Sequence, residues 1–430
     1  MGWMWGRTNS DARGRSAALG RRLIVVGALV GLTAAVAAAD DAAPDDDGSL
    51  LERHNLTGDW NGVRPLLSAH GFAPYLTYTA SFWANLSGGR QTGVQPNGYL
   101  DFGLEVDLAK LGTWEGLGFH TDFHWWQGDE PTTKLIGGLL AMALSDWEAA
   151  STFRVFNIYL RQALDGDRWV FKIGQISADT DFMISRYGGV FLNAAFGDLA
   201  SQNLNLDAPV YPLAAPGAFG SGRFWPWLIG RVGAYTGDAG DDVAGNHGFG
   251  WELGSNAGYT FFSELAASPP DGMLLPATYT LGGIFDTGGS AQFGTGVQRT
   301  FHYEIYLVVD QALLVDGQGD PKLGLFARMS GSPQDARNVV GIYADGGLAW
   351  VGPVPQRPKD TAGIAVSILR FTQDFQQQTK SGSGETVLEL TYQFGIAPWL
   401  VVQPDAQFFF DPAISRTNAY ALGGDVVAIF

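Results

Sequence analysis

The chain has 430 residues, no cysteine, 59 glycines, 13% aromatic residues and a formal net charge of −17. Such acidity excludes a basic nucleic-acid-binding surface, and the missing cysteines exclude a disulfide framework. Outside residues 23–39 no stretch approaches the ~18 consecutive apolar residues of a transmembrane helix, so residence in a membrane requires a closed barrel of strands.

Residues 1–39 read as a bacterial secretion signal. Arg21 and Arg22 close a basic region, Leu23 to Val36 is apolar, and Ala37, Ala38 and Ala39 offer a small-residue cleavage site before Asp40. The competing reading, an uncleaved helical anchor, lacks a positive stop-transfer cluster; the acidic run Asp40 to Asp47 follows instead. Cleavage would remove five arginines and one aspartate, leaving the chain still more acidic. Residues 40–73 form a second segment, in which Asp59 to Gly71 predicts a capped start, a short helix with Arg64 and Pro65 in its first turn, and a glycine stop.

From residue 74 to 430 alternating segments recur. Leu76, Tyr78, Ala80 and Phe82 alternate with Thr77, Thr79 and Ser81; Leu100, Phe102, Leu104 and Val106 with Asp101, Gly103 and Glu105. Phe119, Thr121, Phe123 and Trp125 oppose His120, Asp122 and His124, and Phe156, Ile158 and Leu160 oppose Asn157, Tyr159 and Arg161. Trp169, Phe171 and Ile173 face away from Val170 and Lys172. Near the end, Leu388, Leu390, Tyr392 and Phe394 oppose Val387, Glu389, Thr391 and Gln393, and the last segment carries Tyr420, Leu422, Val426, Ala428 and Phe430 on one face. This period of two is that of strands. At ~10 residues per strand plus turns, about 390 mature residues accommodate about 16 strands, a size that leaves an aqueous channel. Trp125, Trp126, Trp225, Trp227, Trp251, Trp350 and Trp399 fall near segment ends, where interfacial girdles would place them. Periodicity alone leaves a soluble sandwich open, since there the same apolar face points to a core.

The segment Leu56-Thr57-Gly58-Asp59-Trp60-Asn61-Gly62-Val63-Arg64, with Leu67 and Gly71, is similar to the opening LxGDWGGLRxxLxxxG of the carbohydrate-selective porins of the OprB family, departing at Asn61, where glycine is usual. Gly98 to Asp101 through Trp114 and Gly116 resembles a second block of that family. Further matches are Gly174 with Asp179, Phe191 to Asn193, Tyr211-Pro212, Asp310-Gln311, Gly324 to Arg328, Arg337-Asn338, Arg357 to Asp360, Glu385 to Tyr392 and Pro404 with Gln407. The resemblance spans most of residues 51–430. It implies an all-β transmembrane antiparallel barrel of about sixteen strands, integral to the outer membrane of a Gram-negative bacterium, with passive diffusion of glucose or related sugars and no cofactor. It also implies contact with outer-membrane lipids and delivery to the barrel assembly machinery through the strand ending at Phe430. It permits a homotrimer or a monomer.

A sugar offers hydroxyls and weakly apolar ring faces, so a selective constriction needs charged hydrogen-bonding groups beside aromatic rings, with binding weak enough for release. By alternation the inward candidates are Asp101, Glu105, Asp122, Asn157, Tyr159, Arg161, Lys172, Arg231, Arg328 and Glu389. The irregular stretch from Ile176 to Asn205 is too long for a tight turn and is expected to fold inward, with Asp179, Arg186, Tyr187 and Asn193 as polar contacts. His120 and His124 stand about 13 Å apart on an extended strand, too far to share one zinc ion, and no metal site is expected. The acidic balance predicts a modest preference for cations. Three alternatives stand beside the sugar channel: a general diffusion porin, an outer-membrane β-barrel hydrolase, for which no GxSxG, HExxH or P-loop signature is present, and a soluble sugar-binding sandwich.

Overall fold

The computed structural model describes residues 49–143, 152–240, 245–253, 257–270, 272, 275–334 and 336–430; the expected secretion signal and the acidic run Asp40 to Asp47 lie outside the described residues. Sixteen strands run β1 Phe72–Gly88, β2 Gly93–Asp107, β3 Leu117–Gln127, β4 Phe153–Leu164, β5 Trp169–Ile176, β6 Ala215–Trp225, β7 Leu228–Thr236 and β8 Tyr259–Ala267. They continue as β9 Ala277–Ala291, β10 Gln298–Val315, β11 Pro321–Gly331, β12 Val340–Val351, β13 Thr361–Phe371, β14 Gly384–Ala397, β15 Leu400–Phe410 and β16 Ala419–Ile429. Each pairs antiparallel with its neighbours in sequence, and β16 closes onto β1 over Thr77↔Ile429 to Gly88↔Ala419. Closure removes every sheet edge, which is what a strand-built span of a bilayer demands. The barrel begins at Phe72, two residues ahead of the expected 74.

Burial decides between barrel and sandwich. On β10, Tyr303, Ile305 and Leu307 point outward and are exposed, whereas Glu304 and Tyr306 between them are buried inside. The same inversion recurs on β8, with Phe261 and Leu265 outside and Thr260 and Glu264 inside. Apolar side chains outside and carboxylates inside suit lipid around a polar lumen.

Two of the expected faces shift. The pairing of β3 with β4 slips between Thr121 and Phe123, so Phe156 joins Asn157 on the inside and its ring stacks on His124 with centroids 4.2 Å apart. An extra residue in one strand resets the alternation beyond it. Trp126 also turns inward, 1% exposed, because its neighbour Trp125 occupies the outward position. Trp125, Trp225, Trp227 and Trp350 are exposed on the outside, as a girdle requires.

The three longest connections, residues 128–152, 177–214 and 237–258, follow the odd-numbered strands β3, β5 and β7, and every connection after an even-numbered strand has nine residues or fewer. Residues 165–168 join β4 to β5 at the short-turn end, while residues 177–214 join β5 to β6 from the opposite end. A helix α1, Val63–Ala69, sits at the short-turn end. Asn61 (φ 55°) and Gly62 (φ 84°) both adopt the left-handed region before it, so asparagine, the side chain that tolerates this region best after glycine, fits where the resembled motif has glycine. Asp59 accepts from Gly62 N at 3.0 Å. Arg64 donates to Gly58 O and to the Phe430 carbonyl at 2.9 Å, its guanidinium lying 4.3 Å from the Trp60 ring centre. Leu56 N reaches Ile429 O at 2.8 Å and Trp399 donates to Leu50 O at 2.7 Å. Residues 49–71 therefore form a strap across the β16–β1 closure.

Candidate functional site: a lumen narrowed by two inward segments

The connection 177–214 folds into the barrel, as its irregular sequence predicts, and it carries the short helix α2, Ala200–Asn205. What holds it is a series of wall carboxylates that accept its backbone N–H groups. Glu264 takes Met183 N at 2.7 Å; Asp310 takes Arg186 N and Tyr187 N at 3.0 and 3.2 Å and the Ser185 hydroxyl at 2.8 Å. Glu389 takes Leu192 N at 2.6 Å and Asn193 N at 3.0 Å. Arg328 does the converse, donating to Ala195 O at 2.7 Å and Gly197 O at 3.0 Å while paired with Asp345 at 2.5 Å. Wall glycines make room for the segment's aromatic rings. A Cβ on Gly324 would meet the Tyr187 ring at 2.1 Å, and one on Gly363 the Phe191 ring at 2.8 Å. The described part of the β3–β4 connection turns inward as well, with Leu139 N and Leu140 N held by Glu385 at 3.0 to 3.1 Å.

All ten expected lumen residues point inward, and they divide into two groups. Glu389 and Arg328 are sealed beneath the inward segment, the side chains of Arg328 and Asp345 being 0% exposed. They anchor the segment rather than face water, because an unpaired backbone donor or acceptor in that position would cost about 1–3 kcal/mol. Tyr187 and Asn193, expected as polar contacts of the passage, are likewise buried. Asn193 spends its amide on Gln407, at 3.0 Å.

In the second group, seven residues form a ladder of opposite charges on β2 to β5, and Arg231 lies on β7. His120 lies between Glu105 and Asp122, the latter at 3.2 Å, and stacks on Tyr159 with centroids 4.7 Å apart. Asp122 accepts from Asn157 Nδ2 at 3.1 Å, and Asp101 lies 3.7 Å from His124. Arg161 pairs with Asp167 at 2.8 Å. Lys172 reaches Asp181 of the inward segment at 2.7 Å, its ammonium 4.9 Å from the Tyr159 ring centre. On the ladder the Glu105 side chain is 18% exposed, whereas those of Asp101 and Lys172 are 6% exposed; on β7, Arg231 pairs with Glu264 at 2.9 Å and its side chain is 28% exposed. Arg186 is exposed, its guanidinium 5.6 Å from the Tyr187 ring centre.

Asp179 accepts from Tyr211 N at 3.2 Å, and burial pushes its carboxyl up to about 6. Asp198 accepts from Asn203 at 3.0 Å; burial, then the nearby Asp179, push it up to about 7. Beside them Tyr99, His124, Trp126, Phe156 and Tyr211 form an aromatic cluster, with Trp126 Nε1 donating to Tyr211 at 2.9 Å.

Sequence reasoning missed His120 as part of the ladder, and missed Glu264, Asp310, Glu385 and Asp345 as anchors. Alternation does reveal that each points inward. It carries no signal for what arrives opposite: Glu264 and Glu385 take loop N–H groups 81 and 246 residues away in sequence, and Asp345 takes the Arg328 guanidinium that itself reaches Ala195 O, 133 residues away.

Residues 91–427 match the family model described as "Carbohydrate-selective porin, OprB family". Porin B of Pseudomonas aeruginosa is 26% identical over 454 aligned positions, covering 95% of this chain and 96% of that protein. Porin AaxA of Chlamydia caviae is 28% identical over 142 positions, 31% of each chain. Among solved structures, the high-pH structure of Pseudomonas putida OprB superposes with a TM-score of 0.80 at 22% identity, covering 89% of this chain and all of that one, which establishes the shared barrel. With a matched model over most of its length and a closed sixteen-stranded barrel, the chain belongs to the OprB family of carbohydrate-selective porins of the outer membrane.

Proposed function

We propose that glucose or related sugars cross this porin along the β2–β5 arc of the lumen, between the ladder of Glu105, His120, Asp122, Arg161 and Lys172 and the face of the inward segment that carries Asp181, Arg186 and Asp198. The observation that supports this reading is the gathering of opposed charges on this arc, where Glu105, its side chain 18% exposed, lies beside His120 and Asp122, while Glu264, Asp310, Arg328 and Glu389 on β8 to β14 are taken up in holding the segment's backbone. Closely spaced acids and bases on this arc pair with one another. Each can still exchange a hydrogen bond with a passing hydroxyl. Tyr159 adds a ring face for the apolar side of a pyranose. Movement is passive, and the chemistry on this arc is assigned to solute recognition, without a hydrolytic role.

The long connections then face the medium and the short turns, with α1 and the strap, face the periplasm. The outward apolar band contacts lipid and is the surface on which copies of the chain would associate as a trimer. Engagement of the assembly machinery through β16 belongs to the same reading.

Swelling of liposomes reconstituted with the protein tests the pathway. Glucose is expected to enter faster than a sugar acid of the same size, and Lys172→Met, which strands Asp181, is expected to lower glucose entry several-fold. Rates that follow solute mass alone, unchanged in the variant, would leave the ladder without a role.

A further inference from the structure

At the mouth of the barrel lies a groove of about 640 Å³, separate from the lumen ladder. One side is the tip of the β9–β10 hairpin, with Gln292 and Phe293; the other is helix α3, Gln373–Thr379, with Asp374, Gln377 and Gln378. The two sides come from segments some eighty residues apart and are fastened together. Gly294 N donates to Gln378 Oε1 at 2.8 Å, the Phe293 and Phe375 rings meet with centroids 5.7 Å apart, and Phe293 N donates to Ala336 O at 2.8 Å. Thr372 caps α3 through Phe375 N at 3.3 Å, and Phe375 packs on Phe371 of the barrel wall. The groove therefore stands on fixed supports beside the entrance.

Its chemistry is that of a site for polyhydroxylated solutes. Among the described residues the side chains of Gln292, Asp374 and Gln377 make no hydrogen bond or ion pair, leaving two amides, each donor and acceptor, and one carboxylate directed at solvent. Phe293 supplies an apolar ring beside them. Gly294 and Gly296 have open space where a Cβ would stand, so the floor is not narrowed by side chains. The volume falls within the ~300–1,000 Å³ of small-molecule sites. No cation lines it, and Asp374 disfavours acids, which selects neutral sugars over sugar phosphates and sugar acids.

We propose that this groove is an entry site that captures neutral sugars from the medium and hands them to the lumen, a proposal that rests on the reading that sugars traverse this pore. Single-channel recording with sided addition of glucose tests it. The chain has no cysteine, so Gln318→Cys, on the exposed β10–β11 turn, provides a unique biotin site, and streptavidin added to one chamber reveals the orientation of each channel. The rate of glucose block from the long-loop side is expected to exceed that from the other side. Asp374→Ala and Gln377→Leu are each expected to reduce it about fivefold, the value of one net hydrogen bond, with the rate from the opposite side as internal reference. Unchanged rates in both variants, or an equal fall from both sides, would overturn the entry site while leaving the lumen pathway standing. Absence of block from either side of the unmodified channel would overturn the pathway, and the entry site with it.

Discussion

Asp198 and Asp179 set a charge on the inward segment that depends on pH. Both carboxyls are pushed above the ordinary carboxylate range, to about 7 and about 6, first by burial. Between the ordinary range and about 7 the folded protein therefore binds more protons than the unfolded chain, so the contribution of these groups to stability is greatest in acid and is lost as pH rises through 6 to 7. The same titration alters conduction. The reversal potential in a salt gradient is expected to show cation preference at pH 8 that declines by pH 5, and Asp198→Asn is expected to remove the part of the decline centred near 7. A flat profile in the unmodified channel would contradict this assignment. At Arg328 the expected effect is on stability: Arg328→Met leaves Asp345 buried without its cation, which costs roughly 3–5 kcal/mol. The temperature at which the folded band disappears on electrophoresis should fall clearly, and more than for Lys172→Met, whose partner Asp181 keeps a side chain 11% exposed.

Among the elements, the inward segment and the strap act differently. Glu389 accepts two backbone donors of the segment, so Glu389→Leu is expected to free residues near Leu192 and Asn193 and to give a larger, noisier conductance with weaker glucose block. The strap crosses the β16–β1 closure without entering the lumen. Arg64→Ala releases the contact with Phe430 and should lower the melting of the barrel while leaving glucose block unchanged; altered block would mean that the strap shapes the passage. The elements themselves were legible in the sequence to unequal degrees. Alternation placed Asp101, Glu105, Lys172 and Glu389 inside because a strand has only two faces. It failed at Phe156, where a slip in pairing resets the count, and at Trp126, where aromatic character suggested a girdle but the strand assigned the outward place to Trp125. The inward course of residues 177–214 was foreseeable from length and irregularity. Its anchoring was not, because hydrogen bonds from Glu389 or Asp310 to loop backbone leave no pattern in the loop's side chains.

For the whole molecule, the architecture followed from few facts: a period of two over some 350 residues, no apolar run beyond the signal-like segment, and an acidic chain without cysteine. The closed barrel satisfies the backbone of every strand, and burial of carboxylates inside with aliphatic side chains outside settles what periodicity alone left open. Within that frame the inward segment is held by wall carboxylates of β8 to β14 and meets the paired charges of β2 to β5 through Asn157 and Lys172. On the proposed pathway, selectivity arises from weak contacts between the sugar and the β2–β5 side of the inward segment. Single-channel conductance of the refolded, signal-cleaved protein in a planar bilayer, with glucose titrated into the bath, tests this most directly. Stable open currents interrupted by glucose in a saturable manner are predicted; stable currents indifferent to glucose at every concentration would contradict a sugar-selective path.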